Sequence, residues 1–206
     1  NNNRAKQRNP CYLIVMPIEI NGSGTITGIT AGGLPNGCIT ADDLASGVGG
    51  KILQVQQTLK TDAFSMSNNS FTDVTGMTVD ITPSSSTSNI LVSLDICYGG
   101  QANLYALFDL YRDSTVIGRS NAVSLSNQLN GAFGAACGNN DNDFYKLHNA
   151  SFTILDTPPS ASQITYKIQV YSYDSKTFYL NRPYDNTNYA YIHGGSSSIT
   201  AMEVAA

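Results

Sequence analysis

Charge is scarce in this chain. Asp, Glu, Lys and Arg make up 13% of its 206 residues, about half the roughly 25% of an ordinary soluble protein. The net charge is −4, so no basic face exists to neutralise a run of phosphates, and nucleic-acid binding is not expected. Arg4, Lys6 and Arg8 form the one basic cluster, set among Asn and Gln in a stretch that reads as a solvated terminus. Glutamate is scarcer still. Glu19 and Glu203 are the two present, near opposite ends of the chain, which leaves glycan cleavage without an evident pair of carboxyls. The 13 aspartates single out no pair either, and several, Asp113 and Asp156 among them, read as turn residues.

Long apolar runs are missing too. Residues 11–20 (CYLIVMPIEI) are interrupted by Pro17 and Glu19 and fall short of the ~20 residues a bilayer span needs, so membrane insertion is not expected. The two histidines, His148 and His193, sit beside turn residues, and no serine lies in a G-x-S-x-G elbow. The four cysteines, Cys11, Cys38, Cys97 and Cys137, form no C-x-x-C pair. Zinc is therefore not expected, and the thiols read as reduced and mostly buried. Residues 138–143 (GNNDND) offer oxygens, including Asp141 and Asp143, but lack the downstream bidentate Glu of a calcium loop. They read as a solvated loop. No cofactor is implied.

In place of charge the chain carries 22 Ser, 18 Thr and 20 Asn, a neutral, hydrogen-bonding surface. Strand signals dominate. Residues 90–96 (ILVSLDI) alternate, with Ile90, Val92, Leu94 and Ile96 on one side. Ile164, Tyr166, Ile168, Val170 and Ser172 share a face, and Val74, Met77, Val79 and Ile81 mark another. Residues 104–111 and 115–119 suggest a hairpin, while 127–142 read as a long Gly- and Asn-rich loop. Eight to ten strands without a helical period predict an all-β fold, an antiparallel β-sandwich of jelly-roll type spanning residues 51–206. Residues 1–50 read as an extended N-terminal arm: short strand candidates, Gly-rich turns and one helical turn near 40–45, with too little apolar surface to fold alone. Such an arm needs a partner, and another copy of the chain is the natural one.

Seven of the 12 tyrosines lie between Tyr166 and Tyr191. Tyr184, Asp185, Asn186, Asn188, Tyr189 and Tyr191 combine flat rings with amide and carboxylate groups, the chemistry of an adaptable binding surface. The competing reading divides these tyrosines between core and subunit contacts.

Several strings are similar to one known group. Residues 50–64 (GKILQVQQTLKTDAF), 73–78 with 83–91 (DVTGMT, PSSSTSNIL), 164–170 with 178–182 (ITYKIQV, FYLNR) and 197–204 (SSITAMEV) occur in the order seen in a β domain of tail-fibre-like and virion-decorating proteins of marine and cyanobacterial phages. The leader, residues 16–37 and 39–46, resembles theirs as well, so the likeness covers roughly 16–206. Relatives often begin at the position of Met16, which leaves 1–15 as an extension, and residues 184–191 (YDNTNYAY) are more aromatic than the group's pattern. The resemblance implies a virion structural protein, made in the host bacterial cytoplasm and carried on the extracellular particle. It implies a homotrimer in contact with other capsid or tail proteins, and no catalytic residues. A receptor-binding tip recognising a host-surface glycan is the alternative, and a capsule-degrading glycosidase the third.

Overall fold

The computed structural model describes residues 51–123, 128–138, 144–158 and 160–206. The expected arm (1–50), with Cys11, Cys38 and Glu19, and the oxygen-rich positions Asp141 and Asp143 lie outside the described residues. Within them eleven strands run β1 (Ile52–Lys60), β2 (Phe64–Met66), β3 (Thr72–Ile81), β4 (Asn89–Gly100), β5 (Tyr105–Arg112), β6 (Thr115–Ile117), β7 (Phe133–Ala136), β8 (His148–Asp156), β9 (Ile164–Ser172), β10 (Phe178–Leu180) and β11 (Ser197–Val204).

Alternation decides which residues face inward. In the first part of β4 the buried positions are Ile90, Val92, Leu94 and Ile96, before both faces are covered from Cys97 to Gly100, and in β9 they are Ile164, Tyr166, Ile168, Val170 and Ser172. Both sets are the faces expected from period two. In β3, Val74, Met77, Val79 and Ile81 are all buried although Val74 and Met77 lie three apart. A register shift between Asp73 and Thr78 sets four β3 residues against one of β9, and the odd number of extra residues returns Met77 to the core face.

All pairs are antiparallel. In one sheet β11 joins β1 to β4, β10 joins β2 to β4, and β8 pairs the far side of β4. β2 continues the row of β1, and β10 that of β11. In the second sheet β9 lies between β3 and β5, and β6 and β7 share the outer edge of β5. Merging collinear pieces gives eight rows, numbered along the chain, with orders 1-8-3-6 and 2-7-4-5. The chain alternates between sheets at every step but one, the β5–β6 hairpin that joins rows 4 and 5 within the second sheet, which is the double Greek-key connection of a jelly roll. The fold is all-β and antiparallel, as the sequence predicts. Between the sheets Phe108 stacks on Phe133 at 4.6 Å and meets the edge of Phe178 at 5.6 Å.

Two sequence readings are corrected here. The stretch 127–142 is not one loop: β7 lies within it and pairs with β5. Its residues, FGAA, carry no alternating apolar signal. Asp156 is not a turn residue. It ends β8, is buried, and accepts hydrogen bonds from Arg112 Nη1 at 2.8 and 3.0 Å and from the Tyr166 hydroxyl at 2.7 Å. Burial first, then that hydrogen bond, pushes the Tyr166 phenol far up, so it stays a neutral donor.

Glu203 is another buried carboxylate. It accepts from the Ser84 amide at 2.7 Å, the Ser84 hydroxyl at 2.6 Å and Gln54 Nε2 at 2.6 Å. Burial alone raises its pKa, but the hydrogen bonds from Ser84, Gln54 and Ser88 win and bring it to about 2. A folded pKa below the unfolded value gives stability that is full above the unfolded pKa and fades as pH falls. Melting temperature should therefore drop between about pH 4.5 and pH 2. Glu203→Gln, which sets an amide against the Gln54 amide, should lower stability at pH 7 by about 2 kcal/mol and flatten the acid limb. A melting series that keeps the same acid limb in the variant contradicts this assignment.

Candidate functional site

The tyrosine-rich segment is an excursion between two collinear strands. β10 ends at Leu180, the chain leaves the sheet at Asn181, and it returns at Ser197 to continue the same row as β11. Asn181 holds this neck. Its backbone φ is +65°, a left-handed conformation that Asn tolerates better than most residues. Its N–H donates to Cys97 O at 2.8 Å, and its carbonyl accepts from Gly195 N at 2.9 Å. Its buried side chain donates to Lys60 O at 2.8 Å and Asp62 O at 2.9 Å, bridging the break between β1 and β2, and accepts from the Ser197 hydroxyl at 2.6 Å.

From this neck the loop lies against the outer face of the first sheet, and two glycines admit it. A Cβ on Gly99 would sit 2.6 Å from Pro183 Cα, and one on Gly195 would sit 2.3 Å from Cys97 Sγ. Any larger residue would push the loop off the sheet.

The six residues singled out in the sequence divide by role. Tyr184 is half-buried scaffold, with ring centroids 5.1 Å from Phe144 and 5.9 Å from Tyr179, and the Arg182 guanidinium lies 3.8 Å from the Tyr179 ring. Asp185 shapes the loop: its N–H donates to Phe144 O at 2.9 Å and its carboxylate accepts from Thr187 N at 2.9 Å. Asn186 and Asn188 are exposed. Tyr189 and Tyr191, each 54% exposed, stack at 5.1 Å and 9°. A residue missed in the sequence completes the cluster: Tyr145 meets Tyr191 edge-on at 5.6 Å. Partial burial, with the Tyr145 and Tyr189 hydroxyls and Asp185 nearby, pushes the Tyr191 phenol up. Its hydroxyl is thus a neutral donor at pH 7. Flat rings with hydroxyls at their tips and exposed amides beside them suit a ligand with apolar faces and polar edges.

A second aromatic surface lies on the outer face of the other sheet and was not singled out in the sequence. A shallow groove of about 560 Å³ runs between Tyr105, Tyr171, Tyr173 and Leu129 over a floor of Gly134 and Ala136. Tyr171 and Tyr173 at i and i+2 were a signal for one wall. Tyr105 reaches the site through strand pairing.

The remaining chemistry-bearing residues do not converge. His148 pairs with Tyr98 in register and stacks on it at 5.4 Å, with its buried Nε2 lacking a hydrogen-bond partner among the described residues. Cys97, the next residue after Ile96 in β4, points to the opposite face, so it forms no dyad with His148. Burial first, then Asp95, raises the Cys97 thiol pKa and keeps it protonated. Cys97 and Cys137 are buried and not joined in a disulfide. His193 is exposed. Among the described residues no group of three or more His, Cys, Asp or Glu side chains is placed to hold a metal ion. Nor is any helix among them long and apolar enough to cross a membrane.

No family model matches the chain, and no curated protein matches it in sequence. Among solved structures it is similar to the infectious bursal disease virus VP2 subviral particle, at 11% identity and a TM-score of 0.36. That match covers 73% of this chain and 41% of the VP2 chain. A likeness of that size carries no argument about function.

Proposed function

We propose that this chain is a non-catalytic structural protein of a bacteriophage particle, a knob-like jelly-roll module displayed on the virion and assembled as a homotrimer. The observation that carries the reading is how the described ionisable groups are spent. Asp109, Asp156 and Glu203 are buried and bonded into the framework. The exposed carboxylates among the described residues (Asp62, Asp73, Asp80, Asp95, Asp113 and Asp174 among them) gather into no group of three that could hold a metal, and between them the surface offers tyrosines, amides, hydroxyls and apolar side chains. That is a surface for packing and recognition. The jelly roll is shared by capsid proteins, lectins and cupins, so fold alone does not choose among them. The resemblance of residues 16–206 to phage fibre-like domains favours the first. Mass spectrometry of gradient-purified particles of the encoding phage tests this. The chain should be present at a fixed stoichiometry divisible by three, and its absence from the particles would overturn the reading.

The cluster of exposed Tyr189 and Tyr191 with half-buried Tyr145 favours a second reading, a receptor-binding tip that recognises a host-surface glycan. Stacked rings bind the apolar face of a sugar. On a glycan array the protein should then show saturable binding. Tyr189→Ala and Tyr191→Ala should each weaken it about tenfold, roughly 1.4 kcal/mol, and no reducing ends should be released. Binding unchanged in both variants would remove the tyrosine cluster from recognition.

A further inference from the structure

β1 is turned the wrong way for a strand that serves only its own sandwich. Residues directly opposite in an antiparallel pair share a face. Thr58 lies opposite Ile199, Gln56 opposite Ala201 and Gln54 opposite Glu203, and those three β11 residues are buried in the interior. The polar residues of β1 therefore face inward. Its apolar residues face out: Val55 is 54% exposed and Leu59 is 59% exposed. A one-residue slip would reverse this, yet the register is held along the whole strand by Gln54 on Glu203 and by Asn181 on Lys60 O.

Val55 is one end of a row that crosses the sheet. It lies opposite Met202, Met202 opposite Leu91, and Leu91 opposite Leu155. Ile52 and Leu53 at the β1 bulge extend this band beside Val204, and Leu59 lies two rows further along. Between them runs a row of Gln57, Thr200, Ser93 and Thr153 whose polar groups already pair, Gln57 Nε2 to Thr200 at 2.8 Å and Ser93 with Thr153 at 3.1 Å. Such a row can leave water at little cost. The strand positions on this face carry one charge, Asp95. Among the described residues β1 pairs with β11 alone, leaving an uncharged stretch of edge from Ile52 to Leu59 of the kind proteins normally cover or blunt.

We infer that this outer face of the first sheet, centred on Val55, Met202, Leu91 and Leu155, is the surface on which copies of this chain pack against one another. The near absence of charge lets copies of this face meet around a threefold axis without like-charge repulsion. The size suits as well. Four strands at ~4.8 Å spacing and about seven residues along β1 at ~3.4 Å each give a flat footprint of about 460 Å², before side-chain relief is added, which is more than half of the ~800 Å² that one partner contributes to a standard interface. The inference rests on the homo-oligomeric part of the proposed function and names the surface responsible.

The test is the absolute mass of the full chain in solution by light scattering. The wild type should run as a multiple of the 22.0 kDa chain. Val55→Lys combined with Leu155→Lys should run as a monomer with an unchanged circular dichroism spectrum, because both side chains are already more than half exposed. Tyr105→Lys, on the other sheet, should leave the mass of the oligomer unaltered. An oligomer that persists in the double variant overturns this face as the interface and leaves the oligomeric reading standing. A wild type that is monomeric at every concentration overturns both.

Discussion

Asn181→Ala should cost about 4 kcal/mol, the largest loss expected from any single polar substitution here. The cost combines hydrogen bonds lost by the buried Lys60 carbonyl, the half-buried Asp62 carbonyl and the Ser197 hydroxyl at about 1–3 kcal/mol per group at most, with the loss of asparagine's better tolerance of positive φ, up to about 1 kcal/mol. The Lys60 and Asp62 carbonyls lose the Asn181 donor, and the Ser197 hydroxyl loses its short acceptor and keeps only Cys97 O at 3.5 Å. In a domain of this size the melting temperature should fall by about 10 °C. Two companion variants separate the causes. Asn181→Gly relieves the backbone, where φ is +65°, and should recover about 1 kcal/mol. Asn181→Asp keeps the shape but turns a carboxylate toward two carbonyl oxygens, and should be at least as damaging as Ala. Because Asn181 closes the neck of the tyrosine loop, tyrosine fluorescence should report local exposure below the main transition. An Asn181→Ala protein that melts within about 2 °C of wild type contradicts the role assigned to this residue.

The pair Asp109–Arg119 should show a strong asymmetry. Asp109 is 0% exposed and Arg119 is 41% exposed. Arg119 Nε donates to Asp109 Oδ1 at 3.0 Å, Nη2 donates to the other oxygen, and the guanidinium lies 5.3 Å from the Phe71 ring. Removing the arginine strands a buried carboxylate, so Arg119→Leu should cost about 3 kcal/mol. Removing the carboxylate leaves an arginine that can turn to water, so Asp109→Leu should cost nearer 1 kcal/mol. The double variant should be more stable than Arg119→Leu alone. Denaturant unfolding of the three proteins measures this directly. Equal losses from the two single variants would mean that the pair is not anchored by burial of the carboxylate.

Much of the sandwich was legible because β4 and β9 state their faces in plain alternation. Ile90 to Ile96 and Ile164 to Ser172 could be assigned inside and outside without knowing their partners. β3 was legible as a face but not as a strand with a register shift, since the spacing of Val74 and Met77 acquires meaning only from the register with β9. β7 was hidden. Its four residues bury little of their own, and their strand character comes from pairing with β5 some thirty residues earlier. The loop 182–196 was recognised as aromatic, but the stacking of Tyr189 on Tyr191 and the arrival of Tyr145 are tertiary facts. The facing of β1 was the least legible feature. An alternating strand reads the same from either side, and only its pairing with β11 shows that Val55 and Leu59 look away from the core.

The central claim is that this jelly roll stands on the surface of a phage particle. Immunogold electron microscopy of intact, purified particles, with antibodies raised against the folded protein, tests it most directly. Gold should decorate the particles at regular positions, on the head or on the tail. Unlabelled particles, from a preparation in which the protein is found only in the soluble lysate, would contradict the account.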